Sequence, residues 1–450
     1  MFLEKGEDCI KTLLQRAKGS SLEISIDPDV PIRDIRLLSP HSQRIRCLEF
    51  TRNYWHSIAE FSEVNPGPLP HLRTLKVSWD EADDDDEFAA IAATPPSSMF
   101  FANAPNVEEF SFRSTRFKFL NYFFFPNLTT FTLWTLEVTR SRASDLFDFL
   151  QASPMLRTVR MWISGIMLEG IPQQMLILPD VETFSLTSDC DNAYDLALHM
   201  SCPRARNVSL TCEVSELDVT SNWRIFPTST PWNTIVHQYT RSPVEEVTLE
   251  IRPPDDISSL TFRSSDTSSI RLGFFLTDDC WDELYIDSGE VVYEVLRQGF
   301  ETIQTHPLLP NIKRLHTIFR DLDSYSFLSP SPATEIRMLL ERVGPLDELT
   351  ISGCNLHPYL AGFGELNESE KPIVFPPIKL LTILHPWMET DEEECMDAIA
   401  ELAKSQHARG IPFERVTVRA NGLPVGMGER LRQWVGVVDC CDENSPVGGY

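Results

Sequence analysis

The chain lacks an excess of basic charge. Its 39 lysines and arginines stand against 66 aspartates and glutamates, a formal net charge of −27. That balance opposes binding to phosphate backbones and anionic membrane surfaces through bulk charge, so neither nucleic acid nor a membrane is an expected partner. The chain also lacks an uncharged apolar run long enough to span a bilayer. Its first eight residues, Met1-Phe2-Leu3-Glu4-Lys5-Gly6-Glu7-Asp8, carry charge where a signal peptide is apolar. Cysteine is sparse, ten in 450 residues, with no C-x-x-C pair. This is far below the density of a disulfide scaffold, and the expectation is a reduced protein of the cytoplasm or nucleus.

Signatures of chemistry are missing as well. No G-x-x-x-x-G-K-[ST], H-E-x-x-H or G-x-S-x-G occurs. Gly426-Met427-Gly428 has no third glycine and no βαβ context, so it reads as turn punctuation. The ten histidines are dispersed, and His306 and His316 are too far apart to form a ligand signature. Asp391-Glu392-Glu393-Glu394 lacks the alternating ligands and turn glycine of a calcium loop and reads as a solvated helix start. The expectation is therefore no catalytic residue, no metal and no cofactor. The alternative is an enzyme whose site is assembled from distant parts of the fold.

What is present is a repeat: proline, any residue, apolar, two of any, apolar, any, apolar. It is clearest at Pro126-Asn-Leu-Thr-Thr-Phe-Thr-Leu133. The same spacing gives Leu72, Leu75, Val77; Val107, Phe110, Phe112; Leu156, Val159, Met161; Val181, Phe184, Leu186; and a weaker Ala205, Val208, Leu210. With the proline one place nearer it gives Val244, Val247, Leu249; Leu346, Leu349, Ile351; Ile378, Leu381, Ile383; and Phe413, Val416, Val418. The last two apolar residues alternate as a short strand with one buried face, and the first anchors the turn leading into it. One such unit cannot bury its own apolar face, so neighbours must stack. From 107 to 205 the first apolar residues are 21, 28, 25 and 24 residues apart, the range of leucine-rich repeats. The predicted fold is α/β, a leucine-rich-repeat solenoid: a curved sheet of short parallel strands with irregular helices on the convex side.

Taken in order, 2–18 reads as an amphipathic capping helix, and Leu22, Ile24 and Ile26 as a strand. Seven acids between Asp80 and Glu87 read as a solvated loop. Helices are expected over 142–152, with Ser144 and Asp145 as caps, and over 191–200, 288–305, 333–343 and 389–404. Residues 252–310 are an irregular middle, introduced by Arg252-Pro253-Pro254-Asp255-Asp256. Pro310, Ile312, Leu315 and Ile318 form a degraded repeat, and 429–435 a capping helix. Residues 1–440 are thus expected to form one solenoid and 441–450 a disordered tail.

The irregular, aromatic-rich strands, together with the opening Phe2-Leu3-Glu4 helix and Ser21-Leu22-Glu23-Ile24-Ser25-Ile26, resemble the large fungal family of F-box proteins with degenerate leucine-rich repeats. In that family an F-box precedes a segment similar to residues 2–26. No Leu-Pro-x-Glu helix opening is found here. The resemblance therefore implies a member whose F-box is lost or lies upstream of Met1. It implies the substrate-binding half of a ubiquitin-ligase receptor, with a Skp–cullin adaptor as partner only if that F-box exists, or a diverged paralogue without adaptor binding.

Strand side chains alternate, so residues flanking the last two apolar positions point away from the core. Among them Arg113, Trp134, Arg160 and Trp162 are of the types enriched at interface hot spots. They are the candidate contacts to a protein partner, and their basic charge in an acidic chain suits an acidic or phosphorylated segment.

Overall fold

A computed structural model describes residues 7–27, 30–51, 58, 61, 68–78, 101, 104–114, 117–136, 140–164, 167–214, 235, 238–239, 242–251, 258–266, 268–276, 311–319, 340, 343–352, 376–384, 392–420 and 426–442. The architecture is mixed α/β, dominated among the described residues by mostly parallel sheet, with few helices there. Two compact units divide it, Met1–Leu210 and Thr211–Tyr450.

In the first unit every triplet becomes a strand. The strands of this unit are β1 (Leu22–Ile26), β2 (Ile45–Phe50), β3 (Thr74–Ser78), β4 (Glu109–Arg113), β5 (Thr130–Leu136), β6 (Arg140–Arg142), β7 (Thr158–Ser164), β8 (Met167–Glu169), β9 (Leu176–Ile177), β10 (Thr183–Asp189), β11 (Met200–Ser201) and the first four residues of β12 (Asn207–Val214). The sheet order is β1-β2-β3-β4-β5-β7-β10-β12, while β6 pairs with β8 and β9 with β11 in two small ribbons. From β1 to β10 every pairing in this order is parallel.

One hydrogen-bond device recurs at the starts of β4, β5, β7, β10 and β12. The two residues after the first apolar position both donate their amides to the carbonyl of the equivalent residue one repeat back. Glu108 and Glu109 donate to Arg73, Thr129 and Thr130 to Glu108, Arg157 and Thr158 to Thr129, Glu182 and Thr183 to Arg157, and Arg206 and Asn207 to Glu182, all within 2.8–3.2 Å. The asparagines after Pro105 and Pro126 add a side-chain version, with Asn106 Nδ2 donating to the Pro70 carbonyl at 2.8 Å and Asn127 Nδ2 to the Pro105 carbonyl at 2.9 Å. Residues of these triplets face one side of the sheet and are buried, Phe110, Phe131 and Phe184 almost completely. The helix Ala143–Gln151 lies on that apolar side, with Phe149 4.8 Å from Phe131 between ring centroids. Fully burying a side chain of this size contributes about 1.5–3 kcal/mol.

The helix starts differ from expectation. Ala143–Gln151 is preceded by Arg142, which makes no side-chain cap, and the Asp145 carboxylate instead accepts from Asn121 Nδ2 at 3.0 Å. The helix Cys190–His199 is capped by Asp189, whose Oδ1 accepts from the Asn192 amide at 3.1 Å. The opening helix is observed over Glu7–Arg16.

The second unit contains β13 (Val244–Ile251), β14 (Ser258–Ser264), β15 (Ser269–Leu276), β16 (Arg314–Phe319), β17 (Leu346–Ser352), β18 (Ile378–Leu384), β19 (Arg415–Ala420) and β20 (Val437–Asp442), in the order β15-β14-β13-β16-β17-β18-β19-β20. Here the all-parallel expectation fails, because β13–β14 and β14–β15 are antiparallel. Only Ser265–Ser268 joins β14 to β15, and a link that short permits a hairpin but not a parallel crossover. Asp266 organises this turn by accepting from the hydroxyls of Ser264 and Ser268, each at 2.6 Å, and these bonds hold its carboxyl down at about 2. The remaining strands are parallel.

In the degraded repeat the third inward position is Thr317 and not Ile318. Thr317 is buried, and its hydroxyl donates to the Thr350 carbonyl at 3.4 Å. At the position just after the first apolar residue, charges alternate along the unit: Glu245, Lys313, Asp347, Lys379, Glu414. Lys313 Nζ lies 2.7 Å from Glu245 Oε1, and Lys379 Nζ 2.6 Å from Asp347 Oδ1. The hydrogen bond to Asp347 raises the Lys379 pKa.

The acid-rich helix runs over Glu392–Ala408, and the terminal one over Met427–Leu431. β20 extends to Asp442, two residues into the expected tail. The acidic run at 80–87, the helix expected at 288–305, most of that at 333–343 and residues 443–450 lie outside the described residues. No helix among the described residues is long and apolar enough to cross a membrane.

Candidate functional site

The register of the first unit brings the four candidate residues together on three strands, β4, β5 and β7. Ser78, Arg113, Trp134 and Trp162 stand opposite one another in succession, with Thr187 beyond them on β10. One row nearer the strand starts, Lys76, Ser111, Thr132, Arg160 and Ser185 do the same. Adjacent strands are about 4.8 Å apart, so side chains at one repeat position form a continuous line across the sheet. All these residues face away from the apolar side, because their neighbours in sequence, Phe112, Leu133, Met161 and Leu186, are buried.

Trp134 and Trp162 stack, with ring centroids 5.2 Å apart and planes inclined by 19°. Trp162 is half-buried, whereas Trp134 remains 41% exposed. Their backbones are anchored from behind. The Trp134 carbonyl accepts from the Ser114 amide at 2.9 Å, and the Trp162 carbonyl from the Thr135 hydroxyl at 3.2 Å. Ser114 and Thr135 are both buried. Large flat side chains held this way can cover a partner's apolar group with little loss of rotamer freedom.

Arg113 and Arg160 are exposed. Lys76 has Glu49 at 3.7 Å on the next strand. Across these two rows from β3 to β10, three cations stand and no carboxylate, in a chain whose acids far outnumber its bases. The chemistry available is hydrogen bonding, cation pairing and aromatic contact.

A second polar group escaped the sequence reading. On the outward face of the second unit, Glu246 stands opposite Arg263 on one side and Arg314 on the other, at 2.8 and 3.2 Å. Glu348 follows opposite Arg314, and Glu348 Oε1 accepts from the Thr350 hydroxyl at 3.1 Å. His316 lies between Thr248 and Thr350 in register. Burial lowers the His316 pKa, against the opposing pull of the Glu246 and Glu348 charges. Although on the outward face, Glu246 and Thr350 are only 8% and 7% exposed. Aligning the repeats would have put Glu246, Arg314 and Glu348 at one shared position. Arg263 comes from outside the repeat and left no such signal.

Among the described residues no group of three or more histidines, cysteines or carboxylates is arranged to hold a metal ion. Cys202 is buried, which pushes its thiol up to about 12 and leaves it unreactive. Compared with known proteins, the chain matches no family model and no curated sequence.

Proposed function

We propose that this chain is a noncatalytic protein-recognition scaffold, a leucine-rich-repeat-like solenoid that grips a partner through the outward face of its first unit. The observation that carries the reading is the stacked, backbone-anchored Trp134–Trp162 pair with Arg113 and Arg160 on the adjoining positions. Exposed tryptophan in a pre-arranged setting is unusual unless it is covered on binding, and Trp and Arg lead the residue types that carry binding energy. The repeated amide pair on one carbonyl supports the solenoid part of the reading, since it imposes the same one-repeat step at five successive strand starts. The reading extends to the substrate-binding half of an F-box-type ubiquitin-ligase receptor, acting in the cytoplasm or nucleus, with a Skp–cullin adaptor conditional on an F-box.

The test is capture of partners by the full chain and by a Trp134→Ala, Trp162→Ala double variant of equal thermal stability. A specific protein held by the parent and lost by the variant is expected. Identical partners on both would remove the face from consideration.

A further inference from the structure

Resting on the reading of this face as a partner surface, we propose that it takes one extended acidic peptide segment of a partner protein, with two carboxylates three to four residues apart and an apolar ring between them. The spacing comes from the register. Arg113 is on β4 and Arg160 on β7, two strand steps apart across β5, and Arg160 lies two residues nearer its strand start than Trp162, which shares the Arg113 row. Two steps of about 4.8 Å across and two residues of about 3.3 Å along give about 12 Å between their backbones, the run of three to four extended residues. A segment crossing the strands obliquely therefore meets one cation, then the exposed ring of Trp134, then the other cation.

Charge complementarity favours this occupant over a neutral or basic one. From β3 to β10 the two outward rows hold three cations, hydroxyls and two indoles; the acids that border them are Glu49, opposite Lys76 on β2, and Glu109, one row nearer the strand starts on β4, so an incoming acid is met by a cation among hydroxyls at Arg160, between Thr132 and Ser185. The hydroxyls of Thr132 and Ser185, which flank Arg160 in register, are donors that a carboxylate can share with the guanidinium. A guanidinium can hold a carboxylate through two parallel hydrogen bonds, a geometry that an ammonium cannot copy. The stacked indoles add a flat apolar platform on which a proline or aromatic ring lies with cation neighbours on two sides.

Selection of displayed random dodecapeptides on the immobilised full chain tests this, followed by fluorescence anisotropy of the enriched peptides against parent, Arg160→Glu, Arg160→Lys and Trp134→Ala. The expected outcome is enrichment of paired Asp or Glu three to four apart around a ring. Kd should rise at least tenfold in Arg160→Glu and in Trp134→Ala, rise less in Arg160→Lys, and rise when the peptide's Glu are changed to Gln. Enriched peptides that are neutral or basic yet lose affinity in Trp134→Ala would overturn the acidic assignment while leaving the partner surface standing. Peptides indifferent to both residues would overturn the surface as well. Self-association abolished by Arg160→Glu would assign the face to a second copy, and Arg160-dependent binding to anionic vesicles would assign it to a membrane. Either would overturn the proposal. All four proteins are compared at matched stability by denaturant unfolding.

Discussion

Arg314 in the second unit has Glu246 3.2 Å from its guanidinium and Glu348 opposite it in register, whereas Arg160 in the first unit stands between Thr132 and Ser185. The two arginines belong to outward faces built from the same repeat. In one the row reads Arg263, Glu246, Arg314, Glu348, with the nearly buried Glu246 paired to both arginines and Glu348 accepting from the Thr350 hydroxyl. In the other the cations share their rows with hydroxyls and two indoles. Neutralised charges fix strand register and stability, whereas Arg160 is exposed between two hydroxyl-bearing neighbours, Thr132 and Ser185. The contrast fits a structural role for the first set and the recognition role proposed for the second.

The largest test strikes what the units share. Phe131→Ala in the first and Leu381→Ala in the second each remove a fully buried inward side chain, and should cost about 3–5 and 2–5 kcal/mol respectively in urea unfolding. A loss below about 1 kcal/mol at either would show that the triplets there do not form the core.

The next separates the faces. Glu246→Gln leaves two half-exposed arginines beside a neutral amide and should cost about 1–3 kcal/mol. Arg160→Gln should change stability by less than about 0.5 kcal/mol, with its effect in binding alone. Equal destabilisation by the two would erase the contrast drawn above.

A finer test uses pH. Folding favours the neutral form of His316, so the unfolded chain takes up its proton at about 6.5 while the folded chain does so only at lower pH. Stability should therefore fall as pH drops below about 6.5, and level off once the folded histidine is itself protonated. His316→Gln should flatten that slope in urea midpoints measured between pH 7.5 and 5.

The smallest effect is expected at Asp266. Its carboxyl is held at about 2 by the Ser264 and Ser268 bonds, against an ordinary 3.8. Its contribution is present above pH 3.8 and lost as pH falls toward 2, and Asp266→Asn should remove this acid dependence. The readout is amide-exchange protection of the β14–β15 hairpin.

Much of the strand framework was legible because burial on one face forces a fixed spacing, and every complete triplet is a strand with its apolar residues inside. The grouping of Arg113, Trp134 and Trp162 was legible for the same reason, since equal repeat positions become neighbours when strands pair in parallel. Thr317 was not legible, because a threonine that hydrogen-bonds backwards can take an apolar slot while the adjacent Ile318 draws the eye. The antiparallel β13–β14–β15 segment was not legible either. Alternation marks Leu260, Phe262, Ile270 and Leu272 as strand residues without revealing direction, and direction was decided by the four-residue turn. The Glu246 cluster needed Arg263, which only that reversal brings alongside.

The alternating series Glu245, Lys313, Asp347, Lys379, Glu414 constrains how this part of the molecule can change length. Excising the repeat that carries Lys379 would set Asp347 beside Glu414, two anions in adjoining slots, whereas excising two consecutive repeats keeps opposite signs in contact. Growth or shrinkage of the array without electrostatic conflict therefore proceeds by pairs, which makes the two-repeat block, rather than the single repeat, its natural module of exchange.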